Sequence, residues 1–366
     1  MSLGKTLFRY IARQFFGWCG AVFLAMLSIV FLLDYVELIR RSGARPEATL
    51  LVLLEMALLK QPYMAQQIMP FVILFGAMMA FWRLTRSNEL VVARAAGVSV
   101  WQFLAPPLAG GFLIGVLVVT VFNPVASVMQ ASYGQLEDRI LKNHDDDRFA
   151  LSRTGLWLRQ SDSDGNQAIV HADRYLTSEH ALRGVTMLFI ADDRRLAKRI
   201  DAREAQLGDG QWQVSDGTVW QPSHPSETFT SVEIPTNLTA GKIQDSFAAP
   251  ETMSFWELPG FIRLLENSGF SALRHRLYFD ALLARPLLFA SMVLIAASFS
   301  LRMQRRGGAT MMIVGGIAAG FTLYFLSDVV FALGISATIP LALAAWTPAG
   351  VSCLLGLGLL LHLEDG

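Results

Sequence analysis

The chain has 366 residues, of which 53% are hydrophobic and 16% are charged, and its mean hydropathy is +0.42. Soluble proteins carry about 25% charged residues, and the formal net charge of zero argues against a nucleic-acid binder, which needs a basic excess. Apolar residues this abundant exclude disorder, and Cys19 and Cys353 lie too far apart for a disulfide framework or a cysteine zinc site. Composition therefore predicts a polytopic α-helical membrane protein.

Six windows without charged side chains are candidates for transmembrane helices. A hydrocarbon core about 30 Å thick needs roughly 20 helical residues. In chain order the windows are Phe15–Leu33, Gln61–Trp82, Phe103–Phe122, Pro286–Leu301, Gly307–Ser327 and Leu341–Leu361, the fourth being short. The first window is too long for the apolar core of a signal peptide and no small-residue cleavage site follows it, so we expect the first helix to be retained.

Lysine and arginine in the short loops predict the orientation. With the N-terminus inside, the cytoplasmic loops collect Lys5, Arg9, Arg13, Arg83, Arg86, Arg94, Arg302, Arg305 and Arg306. The short loops on the opposite side hold Arg40, Arg41, Arg45 and Lys60. We therefore expect both termini in the cytoplasm and the long central segment outside.

That central segment differs from the rest in charge and in pattern. Between Glu137 and Glu251 there are 19 acidic against 13 basic residues. Apolar and polar residues alternate over 168–172, 185–189 and 211–214, and Asp164-Gly165-Asn166, Gly208-Asp209-Gly210 and Asp216-Gly217 are turn signals. Many short strands predict an inserted β-jellyroll-like domain at 133–273. The transmembrane helices would then occupy 1–132 and 274–366, three in each half.

No catalytic or cofactor motif accompanies these segments. The sequence contains no Gly-x4-Gly-Lys-Ser/Thr phosphate loop, no Gly-x-Ser-x-Gly elbow and no His-Glu-x-x-His helix. The histidines show no metal-ligand spacing. We therefore expect no enzyme activity, no metal and no cofactor in this chain.

A cluster of arginines follows the first predicted span on its outer side. Arg40, Arg41 and Arg45 come after a segment that contains Asp34 and continues the apolar stripe of the helix. Guanidinium groups bind phosphate in bidentate fashion, so the cluster suits an anionic lipid headgroup. Ordinary anchorage of the helix by snorkelling side chains is the alternative. Asp328, at the outer end of the fifth span, either marks the interface or faces a polar cavity between helices.

A short helix is predicted in the cytoplasmic loop at about 84–97. Ser87 is a candidate N-cap, Glu89 favours the positive end of the helix dipole and Gly97 can end the helix. Leu90, Val91 and Ala95 leave an apolar face in a segment too short to span a membrane. The face predicts either a docking partner or a helix lying on the membrane surface.

This loop, Arg86-Ser87-Asn88-Glu89-Leu90-Val91-Val92-Ala93-Arg94-Ala95-Ala96-Gly97, resembles the coupling-helix segment of the lipopolysaccharide export permeases, the LptF/LptG (YjgP/YjgQ) family. Further segments agree over nearly the whole chain: Pro62 and Pro70, Gly155-Leu156-Trp157, Glu266-Asn267-Ser268-Gly269 and Gly334–Pro340. The second and last of these look more like the LptG type. The ordered set, rather than any one motif, carries the resemblance.

The resemblance implies a permease subunit of an ABC-type exporter that extracts lipopolysaccharide from the outer leaflet of the inner membrane. The implied partners are an LptF-like permease paralogue, an LptB-like cytosolic ATPase dimer, an LptC-like single-span protein and a periplasmic protein bridge. Arg40 and Arg41, with Arg45, Asp34 and Asp328 nearby, would bind the substrate. Asp34 stands where relatives often carry a lysine, which weakens phosphate contact at that depth. Ser87, Glu89, Leu90, Val91 and Arg94 would couple to the ATPase.

Two other classes of protein share some of these features. A mechanotransmission or lipoprotein-sorting ABC permease also combines few spans with a large outer domain, but that domain would be rich in coiled coil. A membrane enzyme acting on lipid-linked sugars would need paired acids or a metal site near a span, and only the isolated Asp34 and Asp328 are present.

Overall fold

The structure, a computed structural model, describes residues 2–43, 48–141, 148–152, 155–161, 167–176, 181–190, 196–208, 210–222, 224–236, 249–267, 271–300 and 308–365. The chain divides into two compact units. The helical unit comprises Met1–Lys142, Glu251–Trp256 and Arg276–Gly366, and the sheet unit comprises Asn143–Pro250 and Glu257–His275.

The first half of the chain forms five helices with one turn of π-helix. They are α1 (Ser2–Ser42), α2 (Leu50–Arg86), α3 (Glu89–Ala95), α4 (Val100–Leu117), the π-turn (Val118–Phe122) and α5 (Asn123–Ile140). After the strands come a 3-10 turn (Pro250–Thr252), α6 (Leu258–Asn267), α7 (Leu273–Ser300), α8 (Gly308–Ile335) and α9 (Leu341–Asp365). The described residues contain six helical segments long and apolar enough to cross a membrane, which confirms the predicted number of spans.

Local sequence explains where two of these helices begin. The Thr49 hydroxyl accepts a hydrogen bond from the Val52 amide at 3.4 Å and caps α2. Ser99 and Gln102 form a reciprocal capping box at the start of α4. The third span differs from expectation, because helix continues past Phe122 through the π-turn and α5 to Ile140. The domain boundary expected at residue 133 thus lies within a helix.

Small residues allow the helices of the helical unit to approach closely. A Cβ built on Gly76 of α2 would lie 2.6 Å from the Cys19 Sγ of α1. A Cβ on Gly115 of α4 would lie 2.5 Å from the Pro286 Cα of α7. Glycine at these positions brings α1 against α2 and α4 against α7, as is usual between membrane helices.

Seven antiparallel strands form one sheet in the sheet unit. They are β1 (Arg148–Ser152), β2 (Gly155–Ser161), β3 (Gln167–Leu176), β4 (Ala181–Ile190), β5 (Leu196–Leu207), β6 (Gln211–Gln221) and β7 (His224–Pro235). Each described strand pairs with its neighbour in the sequence, in the order β1 to β7. The inserted β domain is therefore confirmed, but the described strands make a meander and not the Greek-key order of a jellyroll.

One line across the sheet interrupts the ladders. Ala172 pairs with Val185, and Arg174 with Arg183, but the intervening Asp173 and Gly184 do not pair. The same register leaves Arg203, Asp216 and Thr230 unpaired on the next strands. Gly184 and Asp216 have positive φ angles of 64° and 53°. We call this line, Asp173–Gly184–Arg203–Asp216–Thr230, the crease. Asp216-Gly217, expected to be a turn between strands, lies instead inside β6.

Candidate functional site

The predicted substrate arginines lie at the end of α1 and are already paired with carboxylates. Arg40 makes a bidentate contact with Glu37, with two distances of 2.8 Å. Arg41 Nη1 lies 3.4 Å from Glu137 Oε1 of α5, and its Nε lies 3.9 Å from Glu37 Oε1. The arginine side chains are 76% and 52% exposed, so solvent screens both pairs. Such weak pairs leave each guanidinium able to exchange its carboxylate for another anion.

Asp34 pairs with a lysine that was not among the predicted site residues. Lys60 Nζ of α2 lies 2.5 Å from Asp34 Oδ1, and the two side chains are 19% and 11% exposed. The ammonium also lies 5.5 Å from the centre of the Tyr133 ring, a cation–π contact. The sequence did hold a signal, because Asp34 ends the first charge-free window and Lys60 precedes the second, which places both charges at one depth on antiparallel helices.

These groups form what we call the charged cluster: Asp34, Glu37, Arg40, Arg41, Lys60 and Glu137. Its three carboxylates and three cations balance one another. Tyr133 joins it by donating its hydroxyl hydrogen to Glu137 Oε1 at 3.2 Å. Beneath lies a buried apolar group of Leu38, Leu53, Met56, Ala57 and Tyr133, contributed by α1, α2 and α5. The apolar group fixes the three helix ends that carry the charges.

The other two predicted substrate residues are Arg45 and Asp328. Arg45 lies outside the described residues. Asp328 is exposed on α8, and within the described part of the chain no contact joins it to the cluster. The structure therefore brings together Asp34, Arg40 and Arg41, and adds Lys60.

At the opposite end of α2, the short helix α3 places its residues differently from the prediction. Leu90 is only 5% exposed and belongs to the core of the helical unit, so it does not face outward. Val91 and Val92 are 45% and 67% exposed and form the apolar surface of the helix. The Ser87 hydroxyl donates to Glu89 Oε1 at 2.8 Å. Val92, missed by the sequence interpretation, replaces Leu90 on the outward face, while Arg94 is exposed beside it.

The π-turn organises a buried polar network inside the helical unit. Asn123 is 1% exposed; its Oδ1 accepts the Phe255 amide hydrogen at 2.7 Å, and its Nδ2 lies 3.4 Å from Gln66 Oε1. The same Gln66 oxygen accepts from Arg285 Nη1 at 2.9 Å. Trp256 Nε1 donates to the Thr120 carbonyl in the π-turn at 3.0 Å. The segment 251–256, which precedes α6, is thus held on the third span by two hydrogen bonds.

Among the described residues no group of three or more His, Cys, Asp or Glu side chains is placed to hold a metal ion. The charged cluster is suited to bind an anion, because its arginines can exchange one carboxylate for another anion. Helix α3 is suited to dock a partner through its exposed apolar face.

Known proteins resemble this chain over almost its whole length. The profile of a family described as "Lipopolysaccharide export system permease LptF/LptG" matches residues 9–362. The chain is 24% identical over 369 residues to the lipopolysaccharide export system permease protein LptG of Escherichia coli K12, with 97% of each chain covered. The LptG protein of Haemophilus influenzae is 24% identical over 367 residues, which cover 94% of this chain and 95% of that one.

Proposed function

The chain belongs to the LptF/LptG family of lipopolysaccharide export system permeases, and we propose that it is an LptG-type inner-membrane subunit that lifts lipopolysaccharide out of the outer leaflet toward a periplasmic bridge. The charged cluster is the observation that carries this proposal. It gathers three cations at one end of the helical unit. Two of them, Arg40 and Arg41, are exposed to solvent, and a phosphate can displace the carboxylates with which they pair.

The direction of transport in this proposal depends on the orientation of the chain. The distribution of lysine and arginine in the loops favours α3 in the cytoplasm and the charged cluster on the periplasmic side. The sheet unit then lies in the periplasm, and both termini lie in the cytoplasm. A lipid whose phosphates enter the cluster would stand at the outer leaflet.

The energy for transport comes, in this proposal, from a separate LptB-like ATPase dimer, since the sequence has no phosphate loop. The outward face of α3 supports this assignment, because Val91 and Val92 are exposed on a helix of only seven residues. An LptF-like permease would complete the membrane assembly, and an LptC-like protein would join the sheet unit to the bridge. A lipoprotein-sorting permease is less well supported, because the described residues outside the helical unit are mainly strands.

Reconstitution tests this function. Proteoliposomes are prepared with lipopolysaccharide, the chain, an LptF-like permease and the ATPase, and release of lipopolysaccharide to a soluble periplasmic acceptor is measured. We expect release that needs both ATP and the chain. Equal release from vesicles that lack the chain would contradict the proposal.

A further inference from the structure

The sheet unit has an open groove on one of its faces that the export site does not use. The groove encloses about 690 Å³ along the crease. Its side chains come from one cross-strand line, His171, Thr186, Asp201, Thr218 and Thr228, together with Asp173 and Asp216 of the crease. Because side chains alternate along a strand, all seven lie on the same face.

The opposite face of the sheet is apolar. Val170, Met187 and Ile200 are each fully buried and pair across β3, β4 and β5. The groove therefore belongs to the polar face, which leaves its carboxylates and hydroxyls open to a ligand.

One glycine shapes the groove. Gly184 lies in the crease with a φ of 64°, and a Cβ there would collide with the carboxylate of Asp173. A side chain at this position would fill the crease, so the concavity is built into the sequence.

One acceptor in the groove is held rigidly. Asp201 Oδ1 accepts from the Thr186 hydroxyl at 2.8 Å, and Arg199 bonds both Asp201 oxygens at 2.7 and 3.0 Å. Within the described residues Asp173 and Asp216 make no hydrogen bond or ion pair, so their oxygens can accept from a ligand. A fixed acceptor beside free ones is the arrangement that orients a polyhydroxylated molecule.

Two exposed tryptophans lie on the same polar face. Trp157 is 40% exposed, pairs with His171 at the head of the groove line and has its ring centre 4.4 Å from the imidazole. Trp220 is 43% exposed and pairs with Arg199, next to Asp201. From β2 to β6 there are four strand spacings, or about 19 Å. Tryptophan is enriched at binding interfaces, because its ring offers an apolar face together with an N–H donor.

From these observations we infer that the groove binds the uncharged hexose part of the glycolipid that the protein exports. The C–H face of a sugar ring can lie on each tryptophan, while its hydroxyls donate to Asp173, Asp201 and Asp216. The ionised side chains that line the groove are Asp173, Asp201 and Asp216, which favours hydroxyl donors over a phosphate. This inference rests on the proposed function, because that function supplies the sugar.

The test compares two lipopolysaccharides with the same phosphorylated lipid A, one with its complete core oligosaccharide and one truncated before its hexoses. Each is titrated into the full chain in nanodiscs, and the dissociation constants are measured. We expect the complete form to bind about tenfold more tightly. Asp216→Asn and Trp220→Ala should each abolish most of that preference. Asn tolerates the positive φ of Asp216, and Trp220 is exposed, so neither variant should disturb folding.

A matched control is Glu233→Gln, because Glu233 is an exposed carboxylate near the end of β7 that does not line the groove. It should keep the preference. Equal binding of the two lipopolysaccharides by the parent chain would overturn the inference while leaving the export function intact. Failure to bind either one would instead contradict the proposed function. If Asp216→Asn and Trp220→Ala both keep the tenfold preference, the groove is not the sugar site.

Discussion

Asp34 and Lys60 form the least exposed ion pair of the charged cluster, and each charge compensates the other. Their side chains are 11% and 19% exposed, and Asp34 Oδ2 has no hydrogen-bond partner among the described residues. Removing one partner from a buried pair costs more than the pair contributes, because the remaining charge is left without compensation.

The Asp34→Lys variant should therefore lose stability, because it sets two ammonium groups beside each other. We expect a loss of about 3 kcal/mol in the free energy of unfolding, measured as thermal or denaturant unfolding of the protein in detergent. The double exchange Asp34→Lys with Lys60→Asp should recover most of the loss. Glu55→Lys is the control, since Glu55 is exposed on the same half of α2. A single Asp34→Lys variant as stable as the parent would contradict the pairing.

Glu37 holds the exposed Arg40 and so competes with a phosphate for it. Glu37→Gln should raise the affinity for anionic lipid by a few-fold, because it removes the competing carboxylate and keeps the shape of the side chain. Binding of lipopolysaccharide to the chain in nanodiscs at low salt measures this effect. The gain should shrink as salt is raised, because exposed charges are screened. Unchanged or weaker binding at low salt would show that Arg40 does not contact the lipid.

At the scale of the elements, α3 separates a structural residue from its exposed neighbours. Leu90→Asp should destabilise the helical unit, since it places a carboxylate in the core. Val92→Asp should leave the unfolding temperature unchanged while reducing lipid-stimulated ATPase activity of the assembled complex at least tenfold. The two readouts, unfolding temperature and ATPase rate, distinguish folding from coupling. A Val92→Asp variant with full ATPase stimulation would remove α3 from the coupling interface.

Asn123, which follows the π-turn, holds the segment that precedes α6. Asn123→Leu removes the acceptor of the Phe255 amide and one partner each of Gln66 and Tyr278, so three polar groups lose a hydrogen bond. We expect a cost of about 1–3 kcal/mol and faster amide hydrogen exchange at residues 251–256. Thr120→Val is the matched control, because the Trp256 indole bonds the Thr120 backbone carbonyl and not its side chain. Equal exchange in both variants would contradict this role of Asn123.

The sequence predicted what depends on local composition. Charge-free windows gave six spans because hydropathy is a property of consecutive residues. Alternation predicted strands at 168–172, 185–189 and 211–214, and these stretches lie in β3, β4 and β6. Helix α5 was missed because polar residues ended the window without ending the helix. The burial of Leu90 depends on packing against α2, which a seven-residue pattern does not contain.

Other features require contacts between distant parts of the chain. The pairing of Arg41 with Glu137 joins residues 96 positions apart. Strand order is likewise invisible in an alternating pattern, so a jellyroll and a meander look the same in sequence. Asp216-Gly217 resembled a turn because a positive φ favours the same residue types in a turn and in the crease.

For the whole molecule the central claim is that the charged cluster receives the phosphates of lipopolysaccharide. Its most direct test is photocrosslinking of lipopolysaccharide, within the assembled complex, to a probe that replaces the exposed Val36 beside the cluster. In the Arg40→Asp, Arg41→Asp double variant we predict a loss of at least tenfold in crosslinking, with the ATPase still bound. Crosslinking equal to that of the parent, in a double variant that still assembles, would contradict the claim and leave these arginines as helix anchors.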